Sequence, residues 1–233
     1  MTIHVAIDGP AGAGKSTIAK GVAQALDIPY LDTGAMYRTL AYYALQTGVD
    51  PRDEAAVTKI LPDADIGVNY VDGVQHMLIQ GEDITGKIRT PEVGKGASDI
   101  GVHPAVRKKL VAMQQQVAAQ GSVVMDGRDI CIAVMPAAPH KFFVTASPRI
   151  RAARRLKELN EKGLNAPSLD ELEQAIRDRD YTDMHRACDP LRQTEDAVLV
   201  DTSELSIAQS IAAVLAAIDE KQSAISSRPD DLW

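Results

Sequence analysis

The stretch GPAGAGKST, residues 9–17, constrains the fold of this chain more than any other. Gly9 and Gly14 bracket four residues and are followed by Lys15 and Ser16, the spacing of a phosphate-binding loop. Before it, IHVAID at 3–8 reads as a strand. After it, KSTIAKGVAQAL from Lys15 to Leu26 reads as a helix with apolar positions at Ile18, Val22 and Leu26. A strand that turns through glycines into a helix N-terminus is the first half of a βαβ unit, which commits the chain to a parallel sheet. The glycines let backbone N–H groups turn inward around a nucleoside triphosphate, and the helix end adds partial positive charge. Lys15 is then placed to reach the β- and γ-oxygens and Ser16 to ligate Mg²⁺. Gly9, Pro10, Ala11, Gly12, Ala13, Gly14, Lys15, Ser16 and Thr17 are accordingly expected to wrap the donor phosphates. A glycine turn that merely packs closely is the competing description, and the flanking strand and helix favour phosphate.

The rest of the chain alternates β-branched runs with longer helical patterns, so an α/β class with a central parallel sheet is expected. Strands are predicted at 122–126, 141–146 and 197–201, and helices at about 148–162, 168–188 and 206–219. Between about 53 and 120 the texture changes. DIGVNYV and VQHMLIQ, joined by Asp72-Gly73, predict a hairpin with a type I′ turn, and AVRKKLVAMQQQVAAQ predicts a helix. This segment reads as an insertion, and 221–233 as a loose polar tail. Length of 233 residues suits one large domain or a core with insertions. A net charge of −7 argues against a duplex-binding surface, so no nucleic-acid partner is expected. Cys131 and Cys188 are too few for a disulfide framework or a zinc site. No basic leader or membrane-length apolar run is present, and a soluble protein of a reducing cytoplasm, without a membrane partner, is expected.

A phosphate loop does not say where the phosphate goes. A nucleotide switch whose hydrolysis only changes partner binding competes with a kinase; a guanine-binding switch would need a base-reading Asn-Lys-x-Asp segment after a later strand, and none is found, whereas a kinase needs groups that hold an acceptor. Three stretches offer such groups. In YLDTGAMYR, residues 30–38, Thr33 opens a helix that carries Arg38, which suits an acceptor phosphate and equally describes an N-cap threonine with a surface arginine. In VVMDGRDI, residues 123–130, an apolar strand delivers Asp126, Arg128 and Asp129 to its carboxyl end, where open α/β sheets bind ligands. In RDRDYTDMHR, residues 177–186, the apolar stripe of Leu172 and Ile176 continues at 100° per residue into Arg179, Asp183 and Arg186. A solvated face would not do that, so the stripe should face a cleft that holds anions or close in an internal salt-bridge network. Arg177, Asp178 and His185 fall on other faces and read as surface residues. In the helix at 148–162, Arg151, Arg154 and Arg155 share a face at i, i+3, i+4.

The order GPAGAGKST, YLDTGAMYR, GEDITGKIRTPEV, DGRD, TASPRIRAARR and RDRDYTDMHRA, running from about residue 3 to 218, closely resembles bacterial cytidylate kinases of the nucleoside monophosphate kinase family. The resemblance implies a three-layer phosphate-loop NTPase core at 1–52 and 120–220, an inserted monophosphate-binding domain at 53–119 and a short lid near 154–170. It implies transfer of the γ-phosphoryl of ATP to CMP or dCMP, with Mg²⁺, by a monomer acting on small nucleotides. By motif position, Thr33, Arg38 and Arg128 would hold the acceptor phosphate, and Ser98, Arg107 and Asp129 would read the base. Arg179, Asp183 and Arg186 would contact sugar and phosphates, Lys15, Arg128 and Arg186 would act on the transferring group, and Arg154 would reach the triphosphate. Asp126 falls in the same acceptor-side stretch. The chain departs from its relatives after DGRDI, where Cys131-Ile132 stands in place of Gly-Thr; this bears on the loop behind Asp129.

Overall fold

The computed structural model of the chain describes residues 2–161, 163 and 165–226. Its centre is a five-stranded parallel sheet in the order β2-β6-β1-β7-β8, formed by His4–Asp8 (β1), Tyr30–Asp32 (β2), Val123–Gly127 (β6), His140–Thr145 (β7) and Val198–Asp201 (β8). Strand β1 lies in the middle, flanked by β6 and β7. Its residues alternate between two cores. Val5 and Ile7 point to one face, where Ile18 and Val22 of helix α1 (Lys15–Leu26) pack with Val214 and Ile218 of α8 (Ile207–Ser226). Ala6 points to the other face, onto Met36 and Leu40 of α2 (Thr33–Gln46). Burial on both sides is why these strands read as unbroken apolar runs.

The predicted insertion contains α3 (Glu54–Ile60), a three-stranded antiparallel sheet of β3 (Ile66–Val71), β4 (Val74–Ile79) and β5 (Glu82–Asp83), then α4 (Pro91–Ile100) and α5 (Pro104–Ala119). Val71 pairs with Val74, and Asp72 and Gly73 between them both have positive φ, 49° and 74°, as a type I′ turn requires. Met77, Ile79, Ile100 and Leu110 of this segment belong to the same core as Ala6, Met36 and Met125, so it shares its apolar interior with the parallel sheet.

Two expected boundaries move. Helix α7 (Leu169–His185), which follows α6 (Pro148–Glu161), stops three residues short of 188. Arg186 leaves the helix at ψ 147° and Asp189 turns into the left-handed region at φ 45°, which brings the Asp189 carbonyl onto the Arg186 guanidinium at 2.6 and 2.9 Å. Helix α8 runs on to Ser226, so the expected tail is helical over 221–226, where Lys221 and Gln222 are good helix formers; its remainder, 227–233, lies outside the described residues.

Candidate active site

The loop between β1 and α1 has the shape that the sequence predicts. Gly12 and Gly14 have φ of 76° and 91°, and a Cβ on Gly9 would stand 1.9 Å from the Val144 carbonyl oxygen, so only glycine lets the chain leave β1 beneath β7. Lys15 is buried and donates to the Pro10 carbonyl at 2.8 Å. Burial, and then the charge of Arg128, push its pKa well below the usual lysine range. Ser16 Oγ donates to Asp126 Oδ2 at 2.9 Å, and the Tyr30 hydroxyl donates to Oδ1 at 2.6 Å. Burial, helped by the nearby Asp32 charge, raises the pKa of Asp126. On the outer side of the loop, Gly12, Ala13, Gly14, Lys15, Ser16 and Thr17 line a cleft of about 590 Å³ together with Arg154 and Thr202. Arg154 is held there by Thr202, donating to its hydroxyl at 3.1 Å and its carbonyl at 2.6 Å. Gly9 and Pro10 line neither this cleft nor the next.

The described residues contain no cluster of three or more His, Cys, Asp or Glu that could cage a metal. Ser16 and Asp126 place two hard oxygen donors beside the phosphate loop. That donor set fits Mg²⁺, which keeps several waters and takes its other ligands from substrate phosphates.

A second cleft of about 280 Å³ opens on the inner side, beyond the carboxyl ends of β1, β2 and β6. Ala11, Gly12, Lys15 and Ser16 line it, and so do Thr33, Arg38, Ser98, Asp126, Arg128, Asp129, Arg179, Asp183 and Arg186. The N-cap of α2 is Asp32 rather than Thr33: its Oδ1 accepts from the Ala35 N–H at 3.0 Å while its Oδ2 accepts from Arg38 at 2.7 Å. Thr33 becomes the first helical residue, and its hydroxyl donates to the Asp126 carbonyl at 2.8 Å. The carboxylate is therefore both the cap and the arm that aims Arg38 into the cleft. Arg128 Nε pairs with Asp183 Oδ2 at 2.9 Å. Burial opposes ionisation of Asp183, yet Arg128 and Arg179 outweigh it and hold the pKa below the usual carboxylate value.

Cations crowd this cleft. Burial and then Arg128 lower the pKa of Arg179; burial and then Arg107 lower that of Arg186. The Nε atoms of Arg38 and Arg179 are buried with no hydrogen-bond partner. A buried guanidinium donor left unpaired costs about 1–3 kcal/mol, a cost that an anion bound by these arginines would offset. Of the two readings of the stripe, salt bridges satisfy Arg128 and Asp183, and leave Arg179 open. Arg177, by contrast, pairs with Glu173 at 2.6 Å on the exposed face, and Asp178 and His185 are also exposed.

At the far end Asp129 is clamped by Arg107, with Arg186 at 3.6 Å from its other oxygen. Arg107 lies behind Asp129 and does not line the cleft; it also reaches Asp189 at 3.0 Å and the Gly101 carbonyl at 3.4 Å. Ser98 and Tyr37 do line it. The chain then enters a single π-helical turn, Ile130–Val134, at the positions where Cys131-Ile132 departs from its relatives. Three residues escaped sequence reasoning. Asp8 accepts from the Ile130 and Cys131 N–H groups, Tyr30 orients Asp126, and Asp180 holds the buried Arg151, which also donates to the phosphate-loop carbonyl of Ala11 at 3.0 Å. Each acts on backbone or on a partner far away in sequence, which no local spacing signals.

A phosphate loop and a cation-lined second cleft, both at the carboxyl edge of one parallel sheet, define a phosphate-loop kinase. The cytidylate kinase family model matches residues 5–220. A cytidylate kinase from Caldicellulosiruptor bescii is 46% identical over 213 residues, covering 91% of this chain and 94% of that protein. One from Oceanobacillus iheyensis is 46% identical over 207 residues, covering 89% and 90%. A crystal structure of an uncharacterized protein from Eubacterium ventriosum shares the fold at a TM-score of 0.53 and 12% identity, covering 94% of this chain and 99% of that one. The chain belongs to the cytidylate kinase family, and is thus a nucleoside monophosphate kinase.

Proposed function

We propose that this chain transfers the γ-phosphoryl of ATP to CMP or dCMP, giving CDP or dCDP, with the donor on the outer side of the phosphate loop and the acceptor in the inner cleft. The observation that carries the reading is the pair of unpartnered buried donors on Arg38 and Arg179, two residues that line the same cleft as Lys15. Arg38 and Arg128 grip the acceptor phosphate and aim its oxygen, already anionic, in line with the γ-phosphorus, so no general base is assigned. Lys15, Arg179 and Arg186 neutralise charge as it develops on the transferring group. Arg154 steadies the triphosphate from the donor side. Ser16 and Asp126 would hold Mg²⁺, which when bound would neutralise charge on the transferring phosphoryl. Asp129 accepts from the cytosine amino group and Ser98 adds a hydroxyl. Arg107 acts from behind by fixing Asp129, and Asp183 does the same for Arg128.

In this reading 53–119 is the acceptor-binding domain, and the lid spans about 154–170, of which residues 162 and 164 lie outside the described residues. The enzyme works as a monomer in the cytoplasm on free nucleotides. Its net charge of −7 supports action away from nucleic acid, and no helix among the described residues is long and apolar enough to cross a membrane.

ADP formation from ATP, followed in a coupled assay against CMP, dCMP, UMP and small hydroxyl acceptors, tests the proposal. Fast turnover with CMP or dCMP is expected. Fast turnover with a hydroxyl acceptor, or ADP release at the same rate without any acceptor, overturns it.

A further inference from the structure

Asp8 has no part in the chemistry described so far, yet it is among the most buried polar groups of the chain, 1% exposed at the last position of β1. Both of its carboxylate oxygens are engaged, and both with the same backbone segment. Oδ1 accepts from the Ile130 N–H at 2.9 Å and Oδ2 from the Cys131 N–H at 2.8 Å. These two N–H groups open the π-helical turn, where no intrahelical carbonyl lies behind them, and both residues are buried. Immediately upstream of this grip stand Asp129 and, one residue further, Arg128. One residue downstream of Asp8 stands Gly9, where the phosphate loop starts, and Asp8 itself pairs with Gly127 in the sheet.

We infer that Asp8 is a positioning residue: it pins the segment carrying Arg128 and Asp129 to the root of the phosphate loop, and so sets where the acceptor's phosphate and base are held relative to the donor. The inference rests on the assignment of Arg128 and Asp129 to the acceptor. Its physical content is a carboxylate with two acceptors matched to two adjacent buried donors, a fork that a neutral side chain cannot reproduce. The cost of keeping it there is visible. Burial, and the like charge of Asp129, raise its pKa to about 6, against the pull of the two N–H groups, with Lys15 and Arg128 as the cations nearby. A group retained under such a penalty needs a function that a smaller apolar residue would not serve. The grip itself is on backbone N–H groups, which a residue pair such as Cys131-Ile132 supplies as well as any other, while the Cys131 thiol lies beside the Asp8 carboxylate and near the Ala6 and Phe142 carbonyls.

Asp8→Asn keeps the size and one acceptor but turns an NH₂ toward the second N–H, so the segment must shift. The KM for CMP is expected to rise at least tenfold while the KM for ATP stays within twofold, with the far-ultraviolet circular dichroism of the parent. Equal rises in both KM values, or unchanged KM values with only kcat reduced, would mean a general structural role and overturn the inference. Should Asp8→Asn not fold, a backbone ester at position 131, which deletes the Cys131 N–H and besides that weakens only the Ile130 carbonyl as acceptor for the Met135 N–H, carries the same expectation. Asp129→Ala, measured in parallel for CMP and UMP, separates the two layers. If it keeps the parent's CMP/UMP ratio of kcat/KM, the base-reading assignment fails while a selective CMP defect in Asp8→Asn still upholds the pinning.

Discussion

Single side chains carry most of the charge work in this molecule, and their placement gives sharp expectations. Lys15, poised on the Pro10 carbonyl, is free to move to a phosphate oxygen when one arrives. Lys15→Ala should lower kcat by ~10²–10³ with the fold intact, as loss of one transition-state donor does; turnover within a few-fold of the parent contradicts the assignment. Arg179 and Arg177 form a built-in comparison, two residues apart on one helix. Arg179 faces the cleft unpartnered, whereas Arg177 is exposed and paired with Glu173. Arg179→Ala should cut kcat/KM for CMP tenfold or more, and Arg177→Ala should change it less than twofold. Similar losses in both would reduce the region to a generic basic surface. Arg179 and Asp183 were legible in the sequence because helical periodicity carried an apolar stripe into them. Arg186 arrives differently, since it stands just past the helix and is placed by Asp189. Asp8 was not legible at all, because its partners are backbone N–H groups 122 and 123 residues away.

At the scale of elements, the strand-glycine-helix unit and the β3–β4 hairpin followed from local pattern: alternation, turn residues and helical spacing act within a dozen residues of themselves. The order β2-β6-β1-β7-β8 did not, since it is set by which apolar faces meet across the fold. Hairpin and site are separable. Gly73 has φ 74° and a Cβ there would meet nothing within 4 Å, so Gly73→Ala incurs only backbone strain. That strain is about 1–2 kcal/mol. It should lower the melting temperature by roughly 2–8 °C in a chain of this size. The kcat/KM for CMP should stay within twofold, measured by the same coupled assay; a large loss would show that the hairpin tip reaches the acceptor.

Of the two apolar cores on either face of the parallel sheet, one runs from Ala6 and Met125 through Met36 and Leu40 to Met77 and Leu110 of the inserted segment, and so ties that segment to the sheet. Thermal unfolding should therefore be a single transition by calorimetry, with the insertion melting together with the sheet; two resolved transitions would refute that continuity. Acceptor binding should move the transition as a unit. CMP at about 100 times its Kd adds ~2.7 kcal/mol by mass action. Arg38→Ala, which removes part of the grip on the acceptor phosphate, should shrink that shift for CMP and keep it for ATP, a contrast that differential scanning fluorimetry reads directly.

The central place of β1 also has a consequence during synthesis. Its two sheet partners are β6, whose register aligns Val123 with His4, and β7, which aligns His140 with Val5. Translation at 5–20 residues per second separates Val5 from Val123 and its neighbours by roughly 6–24 s. Throughout that interval the strand that carries the phosphate loop has two open edges and an apolar run, Val5-Ala6-Ile7, with nothing from its own sheet to cover them. The segment that ends up most enclosed is thus the one that waits longest uncovered on the ribosome, and chaperone contact with the nascent chain should concentrate on it.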